Sequence, residues 1–372
     1  MTATSGGLRT ALRCLGAGYR AAGHESVLIV PGAAAADEVV DGERVITLPA
    51  PVLPGTGGYR VLVGRRRLGR LLDELAPDRL EVSDRSTLRW TGDWARANGV
   101  RSMMVSHESL SGLLRIWSPR PDLADRLADR LNRRSAEAYD QVVCTTDWAA
   151  AEFRRLGVGN LTRVPLGVDL AAFGPDRRDP AVRARYATDG EVLVLHCGRL
   201  SPEKRPQLAV DALARLRAAG VPAVLVVVGD GPVRAALTER AAGLPVRFVG
   251  FVPDRAAVAT LLASADVAIA PGPVETFGLA GLEALASGTP VVVNAASALP
   301  EVVGDAGLAA EGNGPALAAA VRRILDRPAT DRRAAARARA ERFGWDAAVA
   351  GFLRAHDVPR PTERIGCQDG AT

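Results

Sequence analysis

Glu275 and Glu283 stand eight positions apart in the run Pro273-Val274-Glu275-Thr276-Phe277-Gly278-Leu279-Ala280-Gly281-Leu282-Glu283-Ala284. Between them, Phe277-Gly278-Leu279 reads as a Gly-containing bend that opens a helix. The first turn of a helix has backbone N–H groups without partners inside the helix and carries the positive end of its dipole. It therefore suits a phosphate. A carboxylate on each side of such a site can accept hydrogen bonds from hydroxyl groups. Hydroxyls flanking a diphosphate are the chemistry of a nucleotide sugar.

A second run, Cys197-Gly198-Arg199-Leu200-Ser201-Pro202-Glu203-Lys204, joins an expected strand to an expected helix. Ligands of open α/β sheets bind at the carboxyl ends of the strands, where this loop falls. Arg199 can fork onto a phosphate and Lys204 can add a point charge, so the pair could neutralise a departing diphosphate. The plain alternative is a loop with two solvated charges. Ser5-Gly6-Gly7, ahead of a helix, could bring the backbone N–H of Gly7 to the same phosphates, although Gly pairs are common in turns. His107 closes the strand-like run Val105-Ser106-His107 and could meet a sugar hydroxyl; a lone His is more often structural. His196 is expected to pack at a strand end, and His24 and His356 to lie on the surface. Gly229-Asp230-Gly231-Pro232 is a strand-to-helix turn that could lie near the nucleotide, although the turn by itself accounts for its Gly content.

Other chemistries lack their residues. No Asp-x-Asp pair occurs, and the four histidines have no zinc-ligand spacing. Walker, kinase and G-x-S-x-G loops are absent. Gly229-Asp230-Gly231 is only half of a dinucleotide fingerprint, because Arg234 occupies the third Gly position.

The elements that must position these residues alternate short apolar runs with amphipathic stretches, the α/β pattern. In the first part, helices are expected near 8–22, 65–75, 123–137 and 147–156, the last capped by Asp147. Strands are expected near 26–30, 44–48, 80–82, 102–105, 141–144 and 160–164. A polar, Pro-containing stretch over 174–180 reads as a linker. A second series then runs through strands at 191–195, 223–228, 246–249, 267–270 and 290–293. This divides the chain into an N-terminal domain over 1–170, a C-terminal domain over 171–342, a crossing segment over 343–358 and a disordered tail over 359–372. A doubly wound domain opens with a strand before its Gly turn. Residues 1–4 are too few to supply one. The expectation is a first domain lacking its first strand, with the recorded start inside a longer reading frame.

The 372 residues are 48% hydrophobic, enough for two cores, and the net charge is +5. The Arg runs at 65–67, 133–134, 177–178 and 332–333 read as solvated faces. No aromatic-rich basic module accompanies them, so nucleic acid is not an expected partner. Contact with anionic lipid headgroups is more compatible with the Arg density of the first half. Cys14, Cys144, Cys197 and Cys367 form no CxxC and read as reduced thiols. With no signal peptide or membrane-length apolar run, the expected location is cytoplasmic, with peripheral contact at the inner membrane face.

Gly198-Arg199-Leu200 with Lys204, Gly229-Asp230-Gly231-Pro232, Phe248-Val249-Gly250, Ala265-Asp266-Val267 and the run from Glu275 to Glu283 together resemble the retaining GT-B glycosyltransferases of family four. Gly167-Val168-Asp169 with Phe173 fits the same pattern, and Gly6-Gly7, Gly23-His24-Glu25 and His107 fit more loosely. The resemblance implies two Rossmann-like domains facing across a cleft, with a last helix from Phe343-Gly344-Trp345 crossing back. It implies Glu283 on the ribose, Glu275 on the donor sugar and His107 on that sugar from the opposite domain. Arg199 and Lys204 would hold the diphosphate, helped by the backbone of Gly7, Gly198, Phe277, Gly278 and Leu279. No metal and no cofactor are implied beyond the donor, a GDP- or UDP-hexose of mannose or glucose type. The acceptor would be a hydroxyl of a lipid, glycan or small molecule. Val82-Ser83-Asp84-Arg85 departs from the histidines of many relatives and leaves Asp84 and Arg85 as acceptor-facing candidates. A nucleotide-sugar epimerase and a non-catalytic nucleotide-sugar binder are the competing readings.

Overall fold

The structure, a computed structural model, describes residues 6–52, 60–118 and 120–357. Ser5 and the tail expected over 359–372 lie outside the described residues. The first half contains β1 (Val27–Gly32), β2 (Ala36–Val40), β3 (Glu43–Pro49), β4 (Arg79–Val82), β5 (Arg101–Ser106), β6 (Gln141–Cys144) and β7 (Leu161–Arg163). The second contains β8 (Val192–Cys197), β9 (Ala223–Val228), β10 (Val246–Gly250), β11 (Val267–Ala270), β12 (Val291–Asn294) and β13 (Leu308–Ala310).

The second half is a parallel sheet in the order β10-β9-β8-β11-β12-β13. Its Val-rich strands are apolar at successive positions because both faces are covered. Val194, Leu225, Val227 and Ile269 pack with Leu213 and Val321 on one face. Leu193, Leu195, Val226, Ala268 and Val293 pack with Leu262 and Leu285 on the other. Strands β8 and β9 pair from Val192↔Ala223 to Cys197↔Val228. Their carboxyl ends therefore deliver the Gly198 and Gly229 loops side by side.

In the first half, β4-β5-β6-β7 form a parallel sheet, and β1-β3-β2 form a mixed one. Among the described residues β1 pairs with β3 alone and β4 with β5 alone. The apolar run of β1 is half-buried along its length. The last described helix, Trp345–Ala355, leaves the second half and packs on the first helix, Gly6–Ala21. The approach is close: a Cβ at Gly18 would fall 2.2 Å from Val349 Cγ2, so the crossing needs Gly there.

Several expectations are corrected. β2 lies antiparallel to β3 and was not expected; its Ala-Asp-Glu-Val-Val run is an exposed edge with weak patterning. The helices Trp90–Ala97 and Leu110–Trp117 were also unexpected. Thr146, not Asp147, caps the helix Asp147–Arg154, its hydroxyl accepting from Ala149 N at 3.1 Å. The Arg332-Arg333 run is not a solvated face. Arg333 donates to the carbonyls of Ala265 at 3.0 Å and Ala263 at 2.5 Å, beyond the helix Arg255–Ser264 and near its end. His356 is buried rather than on the surface, because the crossing helix seats it beside Tyr19, ring centres 6.2 Å apart, and 3.3 Å from Glu81 Oε2.

Candidate functional site

One cavity of about 1700 Å³ lies between the two halves. Gly7, His107, Gly198, Arg199, Lys204, Glu275, Phe277, Gly278, Leu279 and Glu283 all line it. Their convergence follows from strand ends: β8 delivers the loop with Gly198 and Arg199, the loop after β11 leads to Glu275, and β5 ends one residue before His107. Gly198 N donates to Val228 O at 2.9 Å and Leu200 N to Asp230 O at 3.0 Å, which laces the Arg199 loop to the Gly229 turn. Lys204 closes the short 3-10 turn Pro202–Lys204.

Gly278 is the N-cap of the helix Leu279–Ala286, at φ 76°. A side chain there would be strained by that angle and would place its Cβ 2.4 Å from Leu299 Cδ2. The Cβ position of Gly7 lies 3.8 Å from Leu279 Cδ1, so the starts of two helices meet in the cavity. Their N–H groups and dipole ends favour an anion at that place. Phe277 is buried, its ring 5.9 Å from that of Phe343 in an edge-on contact.

Lys204 Nζ donates to Glu275 Oε1, an ion pair formed across 71 positions of chain. Glu283 is buried, which pushes its carboxyl above the usual carboxylate range, while Arg255 opposes the shift. Arg255 donates to Glu283 Oε1 at 2.9 Å, and its guanidinium lies 4.9 Å from the ring centre of buried Phe173. His107 is held down to about 4, first by burial and then by the Arg85 charge, against the pull of Glu81; it is neutral at pH 7. Its Nε2 sits 3.2 Å from Ser83 Oγ. Burial pushes the Cys197 thiol up to about 12 and Cys14 up to about 11, so neither is a nucleophile in this site. His196 is buried with Nδ1 3.0 Å from the Ile269 carbonyl, the packing role expected of it.

Asp84 and Arg85 reach the cavity wall but are committed locally. Asp84 accepts from Ser86 N at 2.8 Å and Thr87 N at 3.1 Å. Arg85 is buried and donates to Ser106 Oγ, Asn132 Oδ1 and the Glu108 carbonyl. Sequence reasoning missed Arg255, Thr276 and Glu301. Thr276 Oγ1 donates to His107 O, and Thr145 and Thr146 hydroxyls donate to Thr276 O. The Glu301 carboxylate accepts from Asp147 N at 2.8 Å and Trp148 N at 3.2 Å, at the start of a helix in the other half. Among the described residues, no group of three His, Cys, Asp or Glu is placed to hold a metal ion, and no helix is long and apolar enough to cross a membrane.

Residues 179–341 match the model of the glycosyl transferases group 1, and residues 6–167 match the glycosyl transferase 4-like domain. A GDP-mannose-dependent alpha-(1-6)-phosphatidylinositol dimannoside mannosyltransferase of Mycobacterium tuberculosis is 53% identical over 365 residues, covering 97% of this chain and 95% of that protein. The chain belongs to the group 1 glycosyltransferases. This glycosyltransferase is also 32% identical over 278 residues to a GDP-mannose-dependent alpha-mannosyltransferase of Mycolicibacterium smegmatis, across 73% of this chain and 72% of that one. In fold it is similar to a sucrose-phosphate synthase from Thermosynechococcus elongatus, with a TM-score of 0.75, 24% identity, and coverage of 95% and 93% of the two chains. The architecture is thus GT-B, two Rossmann-like halves facing across a cleft. The enzyme moves a sugar from a nucleotide sugar to an acceptor.

Proposed function

We propose that this glycosyltransferase moves a mannosyl group from GDP-mannose to a hydroxyl of a mannosylated phosphatidylinositol-type lipid, with retention at the anomeric carbon and without a metal. The observation that carries the donor chemistry is the single cavity in which two helix starts, two cations and two carboxylates converge. The choice of base, sugar and lipid acceptor is supported by the likeness to the M. tuberculosis mannosyltransferase along nearly the whole chain.

In this reading Glu283 accepts from the ribose hydroxyls and Glu275 from hydroxyls of the donor sugar. The diphosphate gains negative charge as its bond to the anomeric carbon breaks. Arg199, Lys204 and the N–H groups near Gly7 and from Phe277 to Leu279 stabilise that charge. Fixed cations and dipoles that meet charge as it develops lower the barrier without reorganising. They also supply the positive charge that a divalent ion would otherwise bring. Lys204 already sits against Glu275, so the diphosphate and the sugar are read by one coupled pair. The acceptor attacks from the face the leaving group departs, and a leaving phosphate oxygen takes its proton. Neutral His107 contributes a hydrogen bond and no charge.

The division near residue 170 separates an acceptor half from a donor half. The protein works in the cytoplasm at the inner face of the membrane, where its lipid lies. The test is transfer from GDP-mannose and from UDP-glucose to a dispersed phosphatidylinositol mannoside, with and without EDTA, the product linkage read by NMR. Alpha-linked mannose formed in EDTA is expected. Transfer from UDP-glucose alone, loss of transfer in EDTA, or an inverted product would overturn the reading.

A further inference from the structure

The helix Pro121–Ala138 carries an unusual outer face. Leu123 and Leu127 are 51% and 47% exposed and stand about one helical turn apart, so they form one apolar patch. At about 100° per residue, Arg126, Arg130 and Arg134 fall on the same stripe as these leucines, with Arg133 at its flank. All four arginines are exposed. The helix acids are handled differently. Asp125 accepts from Arg115 Nε at 2.8 Å, and Asp129 pairs with Arg155 at 2.6 Å, each against a neighbouring helix. Among the described residues the four arginines enter no ion pair. Asp122 and Glu137 stand only at the two ends of the stripe.

We propose that this face docks on an anionic lipid bilayer, with Leu123 and Leu127 entering the headgroup boundary and Arg126, Arg130, Arg133 and Arg134 meeting lipid phosphates. The charge pattern fits that partner: two apolar side chains are flanked by four cations, Asp125 and Asp129 are paired with Arg115 and Arg155, and Asp122 and Glu137 stand at the ends. The place fits as well. The helix packs on Leu110–Trp117, whose Leu110 and Leu113 line the cavity, so a bound bilayer lies next to the cleft. The inference deepens the lipid-acceptor reading above and rests on it.

Co-sedimentation with phosphatidylcholine vesicles containing phosphatidylinositol tests it. The full chain is expected to bind these vesicles, to bind pure phosphatidylcholine vesicles weakly, and to release in high salt. The triple variant Arg126→Gln, Arg130→Gln, Arg134→Gln is expected to bind roughly a hundredfold more weakly. Leu123→Ser with Leu127→Ser is expected to lose about tenfold, with melting temperatures unchanged because the side chains are exposed. Transfer to a detergent-dispersed acceptor should stay at the wild-type rate in both variants, while transfer to vesicle-embedded acceptor falls. Wild-type vesicle binding by both variants, or no binding by the parent protein, would overturn the proposal. Preferential binding of RNA over vesicles would also overturn it. A protein that binds anionic vesicles yet never transfers mannose would instead remove the functional reading and leave the docking face standing.

Discussion

Thr276 Oγ1 donates to the His107 carbonyl at 2.6 Å, so the loop ahead of the donor helix is hydrogen-bonded to a strand end of the opposite half. Thr146 Oγ1 holds the carbonyl of the same threonine at 2.8 Å. The two halves thus meet at a residue beside Glu275, and cleft geometry and donor geometry are set together. Thr276→Val keeps the shape and removes the donor. It is expected to lower kcat/KM on the order of tenfold, the effect of one lost hydrogen bond to a positioned group. Steady-state kinetics with a melting curve checks this; an unchanged kcat/KM in a folded variant contradicts it.

Arg199→Ala and Lys204→Ala are expected to cut turnover by about a hundredfold or more each, with little effect on folding, because their charge acts on the developing diphosphate. Lys204→Ala also strips Glu275 of its cation, so its loss should exceed that of Glu275→Gln. Single-turnover rates set beside circular dichroism decide the matter. Near-normal transfer by a folded double variant would remove these residues from the mechanism.

Arg255 grips one oxygen of Glu283 and stacks on Phe173. Arg255→Gln should weaken GDP binding on the order of tenfold by freeing the carboxylate. The same change should matter little for 2′,3′-dideoxy-GDP, which has no ribose hydroxyls for Glu283 to hold. Calorimetric titration of both nucleotides into both proteins separates this effect from general damage to the pocket, which would weaken the two equally.

His107 has its folded-state value lowered to about 4 from an ordinary 6.5. Between those values the unfolded chain binds a proton that the folded chain does not, so stability falls as pH drops from 6.5 toward 4. His107→Asn should flatten that limb of the stability–pH curve. Denaturant midpoints measured across this window give the comparison, and parallel slopes would show that the group does not titrate as described.

The second half was legible because its strands are buried on both faces and read as apolar runs, such as 192–195 and Ala223–Val228. Local patterning also marked the helix start at Gly278 and the loop of Arg199. Apart from Gly7, which the first helix brings in, the candidate residues meet because parallel strands of the two sheets turn their carboxyl ends to the cleft, a topological rule that needs no side-chain detail. What escaped depends on distant contacts. The Lys204–Glu275 pair, Arg255 on Glu283 and Glu301 on the Asp147 helix each join segments whose approach no local window reveals. His356 read as exposed because nothing in its neighbours announces the helix it would meet.

That helix has a consequence for how the molecule is made. Trp345–Ala355 seals the first helix, and Arg79 Nε donates to the His356 carbonyl at 3.0 Å. During synthesis the first 170 or so residues emerge long before their covering segment does. On a ribosome adding about 5–20 residues per second, they wait roughly ten seconds or more with one flank bare. The amino-terminal half is therefore finished last, by the carboxyl-terminal part of the chain.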